Sequence, residues 1–436
     1  SVVHCHVGWP VMSSRLYHWL RLAPGEAGPV VGSFFYFFFL LAGYFVLRPV
    51  RDEMGIQGGV DQLAWVFTAT FVTMLAIVPA FGWAVRRFAR RALVMVCYGV
   101  SIGVIALFFV LMQADVAPAW TARAFFVWTS VFNLFVISLF WSVMNDVFDK
   151  HQSLRLFGVI SAGGSAGAIV GPALTAALAE RLGTVDLLLI SIGLLIAATG
   201  CALAVMSSAA GSASRARPGG AARTGSIWAG AVHVFRSPYL LAICVFIMAY
   251  ASLSTFLYFE QAHIVAAAFD DSATRTRVFA GMDLATNTLT LGLQFFATAR
   301  LVAWLGLPIA LAMIPVAVAA GFGALGLAPT LVVLVVFQVV RRAGNYALTK
   351  PAREMLFGVV PREDKYKAKN FIDTVVYRFG DAVSGWVYTG LGMLGLGLAG
   401  LALVAAPLAL AWAALGFRLG QTRERRARPG VTGIQQ

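Results

Sequence analysis

The sequence predicts an all-α membrane protein of about twelve transmembrane helices, arranged as two pseudo-symmetric six-helix bundles. Three observations carry that expectation. Hydrophobic residues fill 60% of the 436 positions and charged residues 12%, and the mean hydropathy of +0.81 lies well above that of globular domains. Apolar runs recur from end to end, each long enough for the ~20 residues a helix needs to cross ~30 Å of hydrocarbon. The alternating pieces of ~10 residues that mark a β-barrel are missing. Finally, the stretch SSAAGSASRARPGGAARTGS (207–226) has no apolar periodicity and reads as a flexible linker between two groups of runs.

Taken in order, the spans are expected at about 30–47, 62–85, 92–112, 122–144, 157–179 and 185–206, then 239–259, 278–299, 305–327, 330–348, 370–390 and 393–417. The last two are divided only by length, because LGMLGLGLAGLALVAAPLAL offers no polar break. The domains follow: an N-terminal cytoplasmic segment 1–29 with Met12 as its first available start, a bundle 30–206, a cytoplasmic linker 207–238, a bundle 239–417 and a basic cytoplasmic tail 418–436. The basic stretches RRFARR (86–91), ARPGGAART (216–224) and RERRAR (423–428) all fall on one side. By the positive-inside rule that side is the cytoplasm, which gives a bacterial inner (plasma) membrane protein with both termini inside.

Lys and Arg total 33 against 19 Asp and Glu, a net +14. The excess sits in short connections between apolar runs, and no aromatic-plus-basic module for reading nucleic acid accompanies it, so nucleic acid is excluded as a partner. Cys5, Cys97, Cys201 and Cys244 form no CxxC pair and read as packing residues. No GxSxG, HExxH or Walker A motif and no acidic cluster with metal-ligand spacing appears, so neither an enzyme, a cofactor nor a metal is expected.

What remains is charge beside apolar helices, where an ionisable group costs ~2.5–3.5 kcal/mol and usually faces an aqueous cavity. Four places qualify. In YFVLRPVRDEMG (44–55), Arg48 and Arg51 are three apart and share a face if the helix continues past Pro49. They read either as snorkelling arginines paired with Asp52, Glu53 and Asp61, or as a guanidinium pair gripping an anion. FWSVMNDVFDK holds Asn145, Asp146, Asp149 and Lys150. The segment after the tenth run holds Lys350, Arg353, Glu354, Lys367, Lys369, Asp373, Arg378 and Asp381, and it is expected to face the second across the pseudo-twofold axis. Asp373 and Arg378 are five apart, so partners on other helices are expected for both. Glu260 closes the seventh run, and Asp283 shares a face with Asn287 on the eighth. Separately, Gly163, Gly167 and Gly171 recur every four residues and present bare backbone for close helix packing. A short repeat links NDVFDKHQSLRLFGV, from Asn145, with NYALTKPAREMLFGV, from Asn345.

Two six-helix bundles joined by a central loop form the architecture of the major facilitator superfamily. Within that architecture, YALTKPAREMLFGVVPREDKYKAKNFIDTVVYRFGDAVSG resembles the signature of the nucleotide transporter family that includes the ATP/ADP translocases of plastids and obligate intracellular bacteria. LFWSVMNDVFDKHQSLRLFGVISAGGSAG is similar to that family's fourth-helix segment, and VLRPVRDEMG to its first-helix element. Residue by residue, the resemblance puts the family's first-helix Lys on Arg51, its fourth-helix Glu on Asp146, and the Lys of its P-x-K-E-M stretch on Arg353. It puts an Asp of the family on Lys350, with reversed sign. The family's Glu in helix seven aligns near Tyr258, two residues before Glu260.

The resulting expectation is a secondary transporter or exchanger of an anionic, nucleotide-like or phosphorylated solute, working by alternating access with the bilayer and that solute as its partners. Arg48, Arg51, Asn145, Lys350, Arg353 and Arg378 are the substrate-binding candidates. Asp52, Asp146, Glu260, Asp283, Lys369, Asp373 and Asp381 are the gating or coupling candidates. A proton-coupled exporter of hydrophobic compounds is the alternative within the fold, and a non-transporting membrane enzyme or accessory subunit is the alternative outside it.

Overall fold

The computed structural model describes residues 23, 25–210, 234–235, 237–360, 368–369 and 371–427. Met12, most of the linker, the insertion 361–367, Asn370 and residues 428–436 lie outside the described residues. Those described form twelve helical segments and no strand. In chain order they are α1 Ala27–Gln57, α2 Leu63–Arg87, α3 Arg90–Gln113, α4 Pro118–Val147, α5 Lys150–Leu182 and α6 Leu187–Ala210. After the linker come α7 Pro238–Ala268, α8 Ser272–Phe296, α9 Thr298–Leu327, α10 Leu331–Val359, α11 Tyr377–Met393 and α12 Leu398–Ala427.

Most segments outrun the apolar stretches that predicted them, because polar residues at their ends stay helical. In particular, α1 continues through Pro49 to Gln57, which keeps Arg48, Arg51, Asp52 and Glu53 on one helix. Ten segments are long and apolar enough to span a membrane. The other two are α8, whose length carries Arg275, Arg277, Asp283, Asn287 and Gln294, and α11, 17 residues long with Arg378 and Asp381.

Each group of six has its own apolar core, one drawn from residues 30–205 and one from 234–419, joined by Ile56, Leu63 and Ala64. The glycine stripe of α5 packs as expected. A Cβ on Gly163 or Gly167 would lie 2.3 Å from the carbonyl oxygen of Phe34 or Phe38. Only bare backbone therefore lets α5 lie against α1.

The proposed repeat does not survive as a structural repeat. Asn145 ends α4, the chain turns at Asp149, whose side chain caps α5, and Leu156 lies inside the next helix. Asn345 instead opens a π-helical turn, Asn345–Thr349, within α10. Leu356 consequently ends the α-helical part of that same helix, before its last turn, Phe357–Val359.

The turns after α1, α3, α5, α7, α9 and α11 share one face, and those after α2, α4 and α8 share the other. At the first face the halves are tied together. Arg275 of α8 donates to Glu53 of α1 at 2.7 and 2.8 Å, and Gln57 donates to Ser272 at 3.0 Å. Thr184 shares hydrogen bonds of 3.0 Å with Ser272 and Thr276, and Arg277 donates to Glu180 at 2.6 Å. At the opposite face the ion pairs shown among the described residues stay within a half, as Arg90–Asp146, Arg155–Glu26 and Lys369–Glu354 do. We call these the closed face and the open face.

Candidate functional site

Between the halves lies a cavity of about 710 Å³, within the size range of ligand sites. From the N-terminal half, α1 presents Arg48, Arg51 and Asp52 to it. Their spacing places the two arginines one turn apart on a single face. Arg51 binds its neighbour Asp52 at 2.6 and 3.1 Å and lies over the Phe126 ring at 5.1 Å. Tyr258 of α7 donates to the same Asp52 oxygen at 3.1 Å, so this cluster joins both halves. Arg48 approaches Asp283 of α8 at 3.6 Å, an ion-pair distance too long for a hydrogen bond.

From the C-terminal half, α10 contributes Gln338, Arg341, Arg342, Tyr346 and Lys350. Arg342 donates to Asp283 at 2.5 Å, so one buried carboxylate holds a guanidinium from each half. Arg341 donates to Ser254 at 2.6 Å and to Gln338 at 2.8 Å, and Gln338 donates to Gln261 at 2.6 Å. The π-helical turn falls between Arg342 and Lys350 and widens α10 there, as such turns often do at functional sites. A second π-helical turn, Ile372–Val376, leads into α11. It delivers Tyr377, Arg378 and Asp381 to the same cavity.

Six cationic side chains thus line the cavity against two lining carboxylates, Asp52 and Asp381, with Asp283 behind the wall. Lys350 is exposed to it and forms no ion pair among the described residues. An excess of positive charge between low-dielectric walls concentrates anions. Tyrosines 44, 250, 258, 346 and 377 stand among these cations and add flat surfaces that stack on rings and donate hydrogen bonds.

The other candidates fall at graded distances from this centre. Arg353 lines an adjoining recess of about 350 Å³ that shares Lys350, Tyr346 and Arg378 with the cavity. It pairs with Asp373 at 3.2 Å and Glu354 at 3.8 Å, and Lys369 pairs with Glu354 at 2.7 Å. Asp373 thus has its partner on another segment, as expected. Arg378 does not, since its partner is Asp381, three residues on in its own helix, at 3.3 Å. One turn of helix brings those two together more directly than any neighbouring helix does.

Asn145 and Asp146 are exposed at the open face, where Arg90 of the same half takes Asp146 at 2.6 Å. They do not line the cavity, because the chain turns away at Asp149, and no hydrogen bond or ion pair among the described residues joins them to Lys350, Arg353, Asp373, Arg378 or Asp381. Glu260 is buried at 1% exposure, outside the cavity lining. Sequence reasoning passed over Arg341 and Arg342, both under 10% exposed. The adjacent pair in VVRRAG was the available signal, but neighbours on a helix point about 100° apart and do not read as a pair.

The family model for the Major Facilitator Superfamily matches residues 30–352. The chain belongs to the Major Facilitator Superfamily. It is an integral membrane protein and a secondary transporter of that superfamily's type. Solved structures similar to this major facilitator include the nucleoside transporter NupG, at 13% identity and a TM-score of 0.59, covering 93% of this chain and 99% of that one. A bacterial homologue of the iron transporter ferroportin in an inward-facing state gives 14% and 0.65, covering 93% and 99%. A peptide-bound POT family transporter gives 10% and 0.64, covering 90% and 96%. At these identities they share the fold alone. No curated protein matches the sequence significantly.

Proposed function

We propose that this major facilitator transports or exchanges an anionic, nucleotide-like or phosphorylated solute by rocking its two halves around the central cavity. The observation that supports this most is the cationic excess of that cavity, interleaved with tyrosines. Arg48, Arg51, Lys350 and Arg378 bind the anion in this reading, with Arg341 and Arg342 added to them and Arg353 at the adjoining recess. Planar guanidinium forks match phosphate oxygens two at a time, and the tyrosines receive the base. The resemblance of VLRPVRDEMG and KPAREM to the ATP/ADP translocases supports the nucleotide part of the reading.

The open face is read as cytoplasmic, because Arg86, Arg87, Arg90 and Arg91 lie there, as do the basic residues that close α12. In this reading the state is inward-open and the membrane is the bacterial inner membrane. In proteoliposomes, exchange of radiolabelled ATP for ADP is expected to be measurable and to be lost in Arg51→Ala. Failure of any nucleotide to cross, under any pH gradient, removes the substrate assignment. Proton-driven export of a hydrophobic dye that is undiminished in Arg51→Ala instead favours the exporter of hydrophobic compounds, in which the arginines serve only as gate ion pairs.

A further inference from the structure

Among the described residues, five carboxylates are buried in the spanning helices: Asp52, Glu53, Glu260, Asp283 and Asp381. Four of them hold an arginine. Asp52 has Arg51 at 2.6 Å, Glu53 has Arg275 at 2.7 Å, Asp283 has Arg342 and Arg48, and Asp381 has Arg378 at 3.3 Å. Glu260 has none, and both of its carboxyl oxygens are buried without a hydrogen bond of ordinary geometry. The polar group beside it is the Tyr388 hydroxyl of α11, itself without such a bond.

A carboxylate in that setting would have given up its hydration with no cation to replace it and only the Tyr388 hydroxyl nearby, whereas the neutral acid needs no cation. Glu260 also stands eight residues from the end of α7, about 12 Å below the closed face by helical rise. On that side Tyr388 lines a recess of about 580 Å³ between the halves, together with His263 and, from the N-terminal half, Asp61 and Trp65. Tyr388 therefore touches the recess on one side and the acid on the other.

We propose that Glu260 is a proton-binding site reached through Tyr388 from the closed-face recess, and that its proton is the one this transporter couples to its solute. The coupling clause rests on the transport reading above; the site itself does not. Loading breaks one O–H bond of a hydronium ion in the recess and forms one on a Glu260 oxygen, leaving water, and unloading reverses this, passing the proton to a water as hydronium when the halves rock.

Most charged groups on the packed elements are otherwise engaged; Lys350 of α10, which opens to the central cavity, and Asp61 have no ion pair among the described residues. On α11, Asp381 accepts from Thr255 and pairs with Arg378, and before it Asp373 holds Arg353. On α10, Arg341 binds Ser254; on α1, Asp52 is held by Arg51 and Tyr258; on α12, Arg426 sits over the Tyr239 ring near the start of α7. Asp61 lines the recess in the turn after α1, and on α7 itself His263 places its Nδ1 2.8 Å from the Phe259 carbonyl.

Infrared titration of the full-length protein in lipid tests the site without any substrate. A carboxylic-acid carbonyl band is expected at neutral pH, lost in Glu260→Gln and kept in Asp283→Asn. Tyr388→Phe is expected to keep the band and shift its titration midpoint. A band unchanged in Glu260→Gln overturns the site. Transport then tests the coupling: Glu260→Gln is expected to lose uptake of radiolabelled ATP driven by a pH gradient while retaining ATP/ADP counterflow. Gradient-driven accumulation equal to that of the unmodified protein overturns the coupling. If neither protein shows counterflow, the nucleotide reading fails, and the infrared result still decides the proton site.

Discussion

At the closed face Glu53 of α1 takes Arg275 of α8 at 2.7 Å, across the boundary between halves, and Glu53 is fully buried. At the open face Arg90 takes Asp146 at 2.6 Å, but both belong to the N-terminal half and the carboxylate is half exposed. Similar distances therefore describe different devices. A pair that crosses the boundary in a buried place must break when the halves part, so its energy enters the equilibrium between states. A solvated pair within one half moves with that half, and its energy cancels between the states.

The largest effect is expected from Arg275→Ala. Removing the cation leaves the buried Glu53 uncompensated only while the face is closed. By the usual cost of such a break, ~3–5 kcal/mol, the population shifts toward opening. Spin-label distances between the Thr184 and Ser272 regions would lengthen, and an unchanged distribution would show that Arg275–Glu53 is no tie. Next comes Gly167→Ala, whose Cβ would meet the Phe38 carbonyl at 2.3 Å. About 1–3 kcal/mol of folding stability is expected to be lost through overpacking, read from thermal unfolding in detergent. Gly200→Ala, with nothing within 4 Å of the added carbon, is its control.

Smaller still is Arg90→Ala at the open face. It is expected to cost ~0–1 kcal/mol and to leave the closed-face distances where they were; a shift there would mean that open-face pairs also bias the two states. Arg277→Ala removes an exposed partner of Glu180 that does cross the boundary. It should change those distances far less than Arg275→Ala does, because water replaces what the exposed pair supplies.

The fold was largely legible. Apolar runs of spanning length announce helices without tertiary help, since every backbone group must bond within its own segment in hydrocarbon. Gly163 and Gly167 announced a close helix contact before its partner was known. Half of the cavity was legible as well: Arg48, Arg51, Lys350, Arg378 and Asp381 stood out as charges beside apolar runs. Asn145 and Asp146 stood out equally and lie elsewhere, because a charge at a helix end looks the same in sequence whether it meets a cavity or open water.

By itself, then, the sequence determined that the chain spans a membrane in two groups of helices, and which helices carry unusual charge. Only the tertiary structure decided which charges meet. Asp283 receives Arg48 and Arg342 from opposite halves, π-helical turns inside α10 and before α11 set which side chains reach the cavity, and Glu260 alone of the five buried carboxylates has no arginine. Pairing across some two hundred residues depends on how whole helices are rotated and packed. Local patterning constrains the apolar face of each helix but not the neighbour its polar residues will find.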